Sequence, residues 1–242
     1  MGEILLYCSL AGGAFVAATL AAVAGFGGAA VLLPILVMAF GVRDAIPILT
    51  VAQLIGNGSR VWFNRRQLAF PVVGWFALGG IPAALIGGVL FASAPLSFLK
   101  RLLGIFLLAT VVYRHIGRSS AFRPSLRGFA AIGAIFSFLS ALLGSVGPLM
   151  APFFLAYGLV KGAYIGTEAF ATVVMHIAKL VAYGGTAILT LENTGIGLAL
   201  GPIMIFGSFV GKRILDRLPE YLFVWLIEGT LILAGLGFLI RG

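Results

Sequence analysis

Acidic residues, histidine and cysteine are scarce in this chain, and each scarcity closes off a class of function. Seven Asp and Glu against sixteen Lys and Arg leave only 10% of its 242 residues charged, where a soluble domain carries about 25%. The acids, Glu3, Asp44, Glu168, Glu192, Asp216, Glu220 and Glu228, are scattered, whereas acid–base or hydrolytic chemistry needs a cluster at one depth. A lone cysteine, Cys8, allows no internal disulfide, and no Cys/His spacing around it fits a metal. Cys8 is expected to pack within the first apolar segment. No nucleotide-binding motif is present, and neither a cofactor nor a metal is expected.

What the chain has in abundance is apolar sequence: 61% hydrophobic residues and a mean hydropathy of +1.15. That composition belongs to a polytopic, all-α membrane protein. The formal charge of +9 sits in short loops between apolar runs, where cations set orientation in the bilayer instead of binding nucleic acid. The N-terminal run has Glu3 where a signal peptide has a basic region, so it is read as a retained first helix. Apolar segments fall at 4–24, 29–40, 44–63, 70–91, 96–113, 127–143, 148–157, 162–183, 195–211 and 221–240. The second and seventh reach only roughly 15 to 18 Å, short of the roughly 30 Å hydrocarbon core. Each comes after a Gly-rich break, Gly25-Phe-Gly-Gly-Ala-Ala and Gly144-Ser-Val-Gly-Pro. Segments one and two, and six and seven, therefore read as pairs of broken or re-entrant elements. Backbone leaves the helical ladder inside a membrane only where protein or a water-lined cavity satisfies it, so both breaks mark a candidate binding site.

If ten segments alternate, one side of the bilayer collects Arg60, Arg65, Arg66, Arg114, Arg118, Arg123, Arg127, Lys161, Lys212, Arg213 and Arg217. The other collects only Arg43, Lys100, Arg101 and Arg241. The richer side is cytoplasmic by the positive-inside bias, which places both termini outside and a basic linker, 114–126, inside. The halves flanking that linker, 1–113 and 127–242, match in order. Pro34 pairs with Pro152, Gly41 with Gly158, Thr50 with Thr167, Pro82 with Pro202, Gly87 with Gly207 and Pro95 with Pro219, at offsets drifting from 117 to 124. Chance matching among 34 glycines is the competing explanation. Five segments per half is odd, so the expected architecture is two repeats of inverted topology with broken helices near the midplane, a recurrent design for transporters.

The paired breaks, each leading into an apolar half-segment, a glycine and a Thr-bearing span, resemble the TauE/SafE family of sulfite and organosulfonate exporters. The resemblance covers essentially the whole chain. It implies a multi-pass protein of a prokaryotic cytoplasmic membrane that moves small sulfur-containing or carboxylate anions. A related thiosulfate-uptake group relies on intramembrane cysteines, which a lone Cys8 does not supply.

Helix N-termini carry unpaired N–H groups and partial positive charge, so two broken elements aimed at the midplane can hold an anion without a lysine. Gly25, Gly27, Gly28, Gly144, Ser145 and Gly147 are the candidates, with Pro34, Pro148 and Pro152 stiffening the half-segment after each break; close helix packing through small residues is the other reading. Thr50, Gln53, Asn57 and Arg60 form one polar stripe at helical spacing, and Glu168, Thr172, His176, Lys179 and Tyr183 form a second. Aligned on Thr50 and Thr167, the stripes differ in phase by one or two positions and so read as analogous. Lys179 is the lysine inside a span, at a cost of about 2.5 to 3.5 kcal/mol, and is expected to bind the anion with Gln53, Asn57, Arg60, Thr172 and His176. Arg60 snorkelling to headgroups and a neutral packed His176 are the alternatives. Glu168 and Glu228 are candidates for ion pairing with Arg60 or Lys161, or for proton relay. Pro82 and Pro202 can kink their helices and let one half rock against the other. The tryptophans, with Tyr7, Tyr113 and Tyr183, fit interfacial belts or packing.

These readings describe a secondary transporter exporting sulfite, a sulfonate or a related small organic acid by alternating access. A proton or ion gradient, or downhill efflux, would drive it. A passive anion channel and an intramembrane lipid-phosphate enzyme are the rival functions, and monomer and homodimer both fit the sequence.

Overall fold

The computed structural model describes residues 3–95, 97–99, 101–102, 105, 123–159 and 161–214. Most of the segment expected at 96–113, most of the linker and all of 221–240 with Glu228 lie outside the described residues. Within them the elements are α1 (Glu3–Ala24), α2 (Gly28–Phe63), a 3₁₀ turn (Arg65–Gln67), α3 (Phe70–Ser93), α4 (Gly128–Leu143), α5 (Gly147–Ala156), α6 (Lys161–Gly185) and α7 (Leu191–Ile214). Five of them, α1, α2, α3, α6 and α7, are long and apolar enough to cross a membrane. The protein is an all-helical, polytopic membrane protein.

A straight helix of α2's 36 residues would be about 54 Å long. Yet Arg60, near its end, donates hydrogen bonds to the carbonyls of Ala21 and Gly25, just before its start. The chain therefore folds back within α2, and it does so at Gly41, whose φ of 78° and ψ of 167° lie in a region open essentially to glycine alone. A short arm, 28–40, and a long arm, 42–63, result. The second half uses the same device. The ten residues of α5 give way to Gly158 at φ 102°, and α6 returns far enough for Lys179 to reach Gly144. Neither short arm, at roughly 15 to 20 Å, can cross a bilayer of roughly 30 Å by itself.

Helices pair through small residues, because inside a bilayer close backbone approach replaces the hydrophobic drive. Gly207 and Gly211 of α7 face Phe15 with Ala18 and Thr19 with Ala22 of α1, so these helices run parallel. Gly79 and Gly87 of α3 face Ala130 and then Phe138 with Ala141 of α4, again in parallel. Between these pairs lie the long arm of α2 and α6, packed on each other, with α7 against the former and α3 against the latter. Helix α1 buries Leu10, Ala14, Ala17, Ala18 and Ala21, a stripe at helical spacing. Cys8 lies off that stripe and is exposed, not packed as its position in the first span had implied. Pro34, Pro82, Pro152 and Pro202 are accommodated inside helices, and Pro148 sits in the first turn of α5, where its missing N–H costs no intrahelical bond.

Candidate functional site

Each Gly-rich break ends one helix and begins another, which leaves carbonyls unpaired on one side and N–H groups on the other. The carbonyl side of each is met by a buried cation. Arg60 Nη1 donates to Ala21 O at 3.1 Å and Gly25 O at 3.0 Å, at the end of α1. Lys179 Nζ donates to Ser140 Oγ and Gly144 O, both at 3.2 Å, at the end of α4. A cation there also complements the negative end of the helix dipole. Gly25 and Gly144 both sit at positive φ, 81° and 85°, which lets the chain leave each helix at that point. Ala21 and Ser140, Gly25 and Gly144, Gln53 and Thr172, Asn57 and His176, Arg60 and Lys179 are all separated by the same 119 residues. In that register Gln53, Asn57 and Arg60 coincide with Thr172, His176 and Lys179, whereas Thr50 falls on Ala169 and Glu168 on Leu49. The Thr50–Thr167 alignment is two positions out, and those threonines do different work: Thr50 donates to Ile46 O, whereas Thr167 Oγ1 accepts the Ala69 N–H at the start of α3.

The two breaks meet. A Cβ on Gly147 would lie 3.3 Å from the Cβ of Phe26, and the space beside this contact is a small cavity of about 30 Å³, enough for a water-sized group. It takes Gly25, Gly27 and Gly28 from the first break, Gly144, Ser145 and Gly147 from the second, Gln53, Asn57 and Arg60 from α2, and Glu168, Thr172 and His176 from α6. No side chain caps the N-terminus of α2 at Gly27 or of α5 at Val146; in α5 the N–H groups of Leu149 and Met150 bond to Val146 O and Pro148 has none, so Gly147 is the first-turn donor it keeps for another acceptor, beside those of α2. Gln53 Nε2 and His176 Nδ1, in side chains 5% and 3% exposed, have no hydrogen-bond partner among the described residues. A buried polar atom left this way is costly, and here both residues border the same void. Arg60 Nη2 is held by Asn57 Oδ1, and Nη1 lies 3.6 Å from Glu168 Oε2. Thr172 donates to the other carboxylate oxygen at 3.2 Å.

The family model for the sulfite exporter TauE/SafE matches residues 10–238. The chain belongs to the TauE/SafE family. Comparison with curated proteins and with solved structures gives no match. A TauE/SafE protein is a membrane transporter of sulfite and related sulfur anions, and the cavity of this one joins its two helix breaks.

Lys179 is the residue of the expected set that does not line this TauE/SafE cavity. It is fully buried and occupied with the end of α4. Arg60 is 5% exposed and turned inward, so it does not snorkel. Two contributors escaped the sequence reading. Ser140 supplies the acceptor for Lys179, and Tyr164 donates to Ala24 O at 3.2 Å with its ring against Gly25. Tyr164 lies one helical turn before Glu168, so extending the second stripe backwards would have found it.

Proposed function

We propose that this protein is a secondary carrier of a small oxyanion, sulfite or a compact sulfonate, held between the two breaks and exposed alternately to either side by movement of two inverted halves, 1–113 and 127–242. The observation that carries the reading is the convergence of two uncapped helix N-termini with unpartnered Gln53 Nε2 and His176 Nδ1 on one cavity. Gln53 Nε2 and the helix N-termini are donors that an anion would satisfy beside the Glu168 carboxylate, whose charge is paired with Arg60, and the N-termini bring partial positive charge without a strongly hydrated lysine. The shared register of the polar stripes supports the internal duplication, with the end of each broken helix tied to its own half by Arg60 or Lys179. Among the described residues Glu168 is the only carboxylate lining the cavity, which does not favour acid–base chemistry by paired acids. The collection of Arg60, Lys161, Lys212 and Arg213 about one end supports a cytoplasmic placement of that end.

The test compares anion flux in proteoliposomes with monodisperse yield in detergent. Gly147→Val places a branched side chain at the N-terminus of α5 and is expected to lower flux more than yield, whereas Gly27→Val also strains left-handed backbone at φ 95° and is expected to lower both. Equal losses in Gly147→Val would assign that glycine to packing alone. Concentrative uptake under an imposed proton or ion gradient identifies a carrier, and flux that only tracks the anion gradient at channel rates refutes one.

A further inference from the structure

A second cavity, of about 270 Å³, opens beside the 64–67 turn, between the start of α6 and the end of α7. Its polar lining is Arg60, Asn64, Gln67, Lys161, Ser208 and Lys212, and no described carboxylate lines it. Lys161 and Lys212 thus share one recess, with no described carboxylate in its lining, next to Arg60, which is paired with Glu168 behind it. Lys212 is oriented by donating to Phe63 O at 2.6 Å and lies over the Phe63 ring, which leaves further ammonium N–H groups to offer. Ser208 Oγ, in a side chain 1% exposed, has no partner among the described residues and lies in the wall. Gly162, in the first turn of α6, adds a helix N-terminus. Arg60 belongs to this lining and to that of the central cavity.

The opposite end is built differently at matching positions. Asn64 has Tyr183 as its counterpart 119 residues on. That tyrosine is fully buried, donates to Ala141 O at 2.6 Å and packs its ring 5.5 Å from that of Phe91. At the position that matches Asn64 beside the recess, the described residues place a buried pair of aromatic rings, Tyr183 and Phe91.

We propose that the recess is a second oxyanion site, an entry site at which a free small oxyanion is held by Lys161, Lys212, Ser208 and Arg60 before Arg60 passes it to the central cavity. The proposal rests on the central cavity being an anion site. A low-dielectric recess lined by one sign of charge concentrates the opposite ion, and Arg60, common to both linings, spares the anion a crossing of uncharged wall.

Sulfite titrated calorimetrically into the purified full chain in lipid-free detergent tests this. Two equivalents are expected to bind. Lys161→Gln/Lys212→Gln, at two exposed positions, is expected to weaken one of them by at least about tenfold and leave the other, and Ser208→Ala to weaken the same one less. Gln53→Leu is expected to remove the other. A single equivalent that is lost in Gln53→Leu and untouched by the lysine pair overturns the entry site while the central site stands. A single equivalent lost only with the lysines overturns the central reading and keeps a basic recess. Repetition in nanodiscs separates a free oxyanion from a lipid headgroup: if the lysine-dependent equivalent survives in phosphatidylcholine but vanishes in phosphatidylglycerol, the recess is a headgroup site and the proposal fails.

Discussion

Removing Arg60 removes the cation that pairs with Glu168. At 3.6 Å between Nη1 and Oε2, the Coulomb attraction at an effective dielectric of 20 is about 5 kcal/mol, before the cost of burying both charges. Breaking such a pair from one side typically costs about 3 to 5 kcal/mol, because the remaining charge stays buried alone. Arg60→Met also abandons the carbonyls of Ala21 and Gly25. Glu168→Gln is milder, since the arginine keeps those carbonyls and Asn57 and the amide oxygen can still accept from Thr172. The double variant removes both charges, so it should be more stable than the two single losses add up to, by roughly 2 kcal/mol or more. On the usual scale for chains of 150 to 250 residues, Arg60→Met should lower the midpoint of thermal unfolding by on the order of 10 °C. Monodisperse fraction after heating in detergent reads all four corners of the cycle. Additivity within about 0.5 kcal/mol would show that Arg60 and Glu168 are neighbours without an energetic bond, and the charge pairing would have to be abandoned.

Lys179→Met is expected to lower thermal stability while leaving anion affinity within about threefold, with Lys179→Arg restoring part of the stability; a large affinity loss at unchanged stability would put the ammonium on the substrate. Gly25→Ala and Gly144→Ala each force an L-residue into left-handed backbone at about 1 to 2 kcal/mol. At Gly25 the new Cβ would also stand 2.5 Å from the Tyr164 ring, whereas at Gly144 its neighbours lie at 3.4 Å, so Gly25→Ala should give the lower folded yield and equal yields would contradict the close contact. With Cys8 replaced, a cysteine at Ser119 should label from the cytoplasmic side and one at Gly242 from outside; external labelling of position 119 reverses the orientation.

The two stripes were legible because a polar residue every three or four positions in apolar sequence has few readings besides a helix face turned inward. Their equivalence was not. Gly41 comes 16 residues after Gly25, and Gly158 comes 14 after Gly144, so the fold-back arrives two residues early in the second half and α6 regains them before Lys179. Matching glycines and threonines tracks the hairpin, whereas the stripe tracks the break, and only contacts between distant segments reveal which register the site obeys. Lys179 was legible as a costly charge and illegible as a helix terminator's partner, because sequence does not show which carbonyls a break strands.

The buried Tyr183, packed against Phe91 at the end opposite the basic recess, has an electrical consequence. If the basic recess carries water and ions of one side as far as Arg60, the membrane potential falls mainly across the remaining thickness, through the central cavity and the Tyr183 layer. An elementary charge crossing 100 mV exchanges about 2.3 kcal/mol whatever the distance, so a thinner insulating layer means a steeper field over the few ångströms where the anion sits. Voltage would then act on this protein chiefly at the step that carries the anion past Tyr183, while arrival in the recess would be nearly indifferent to it.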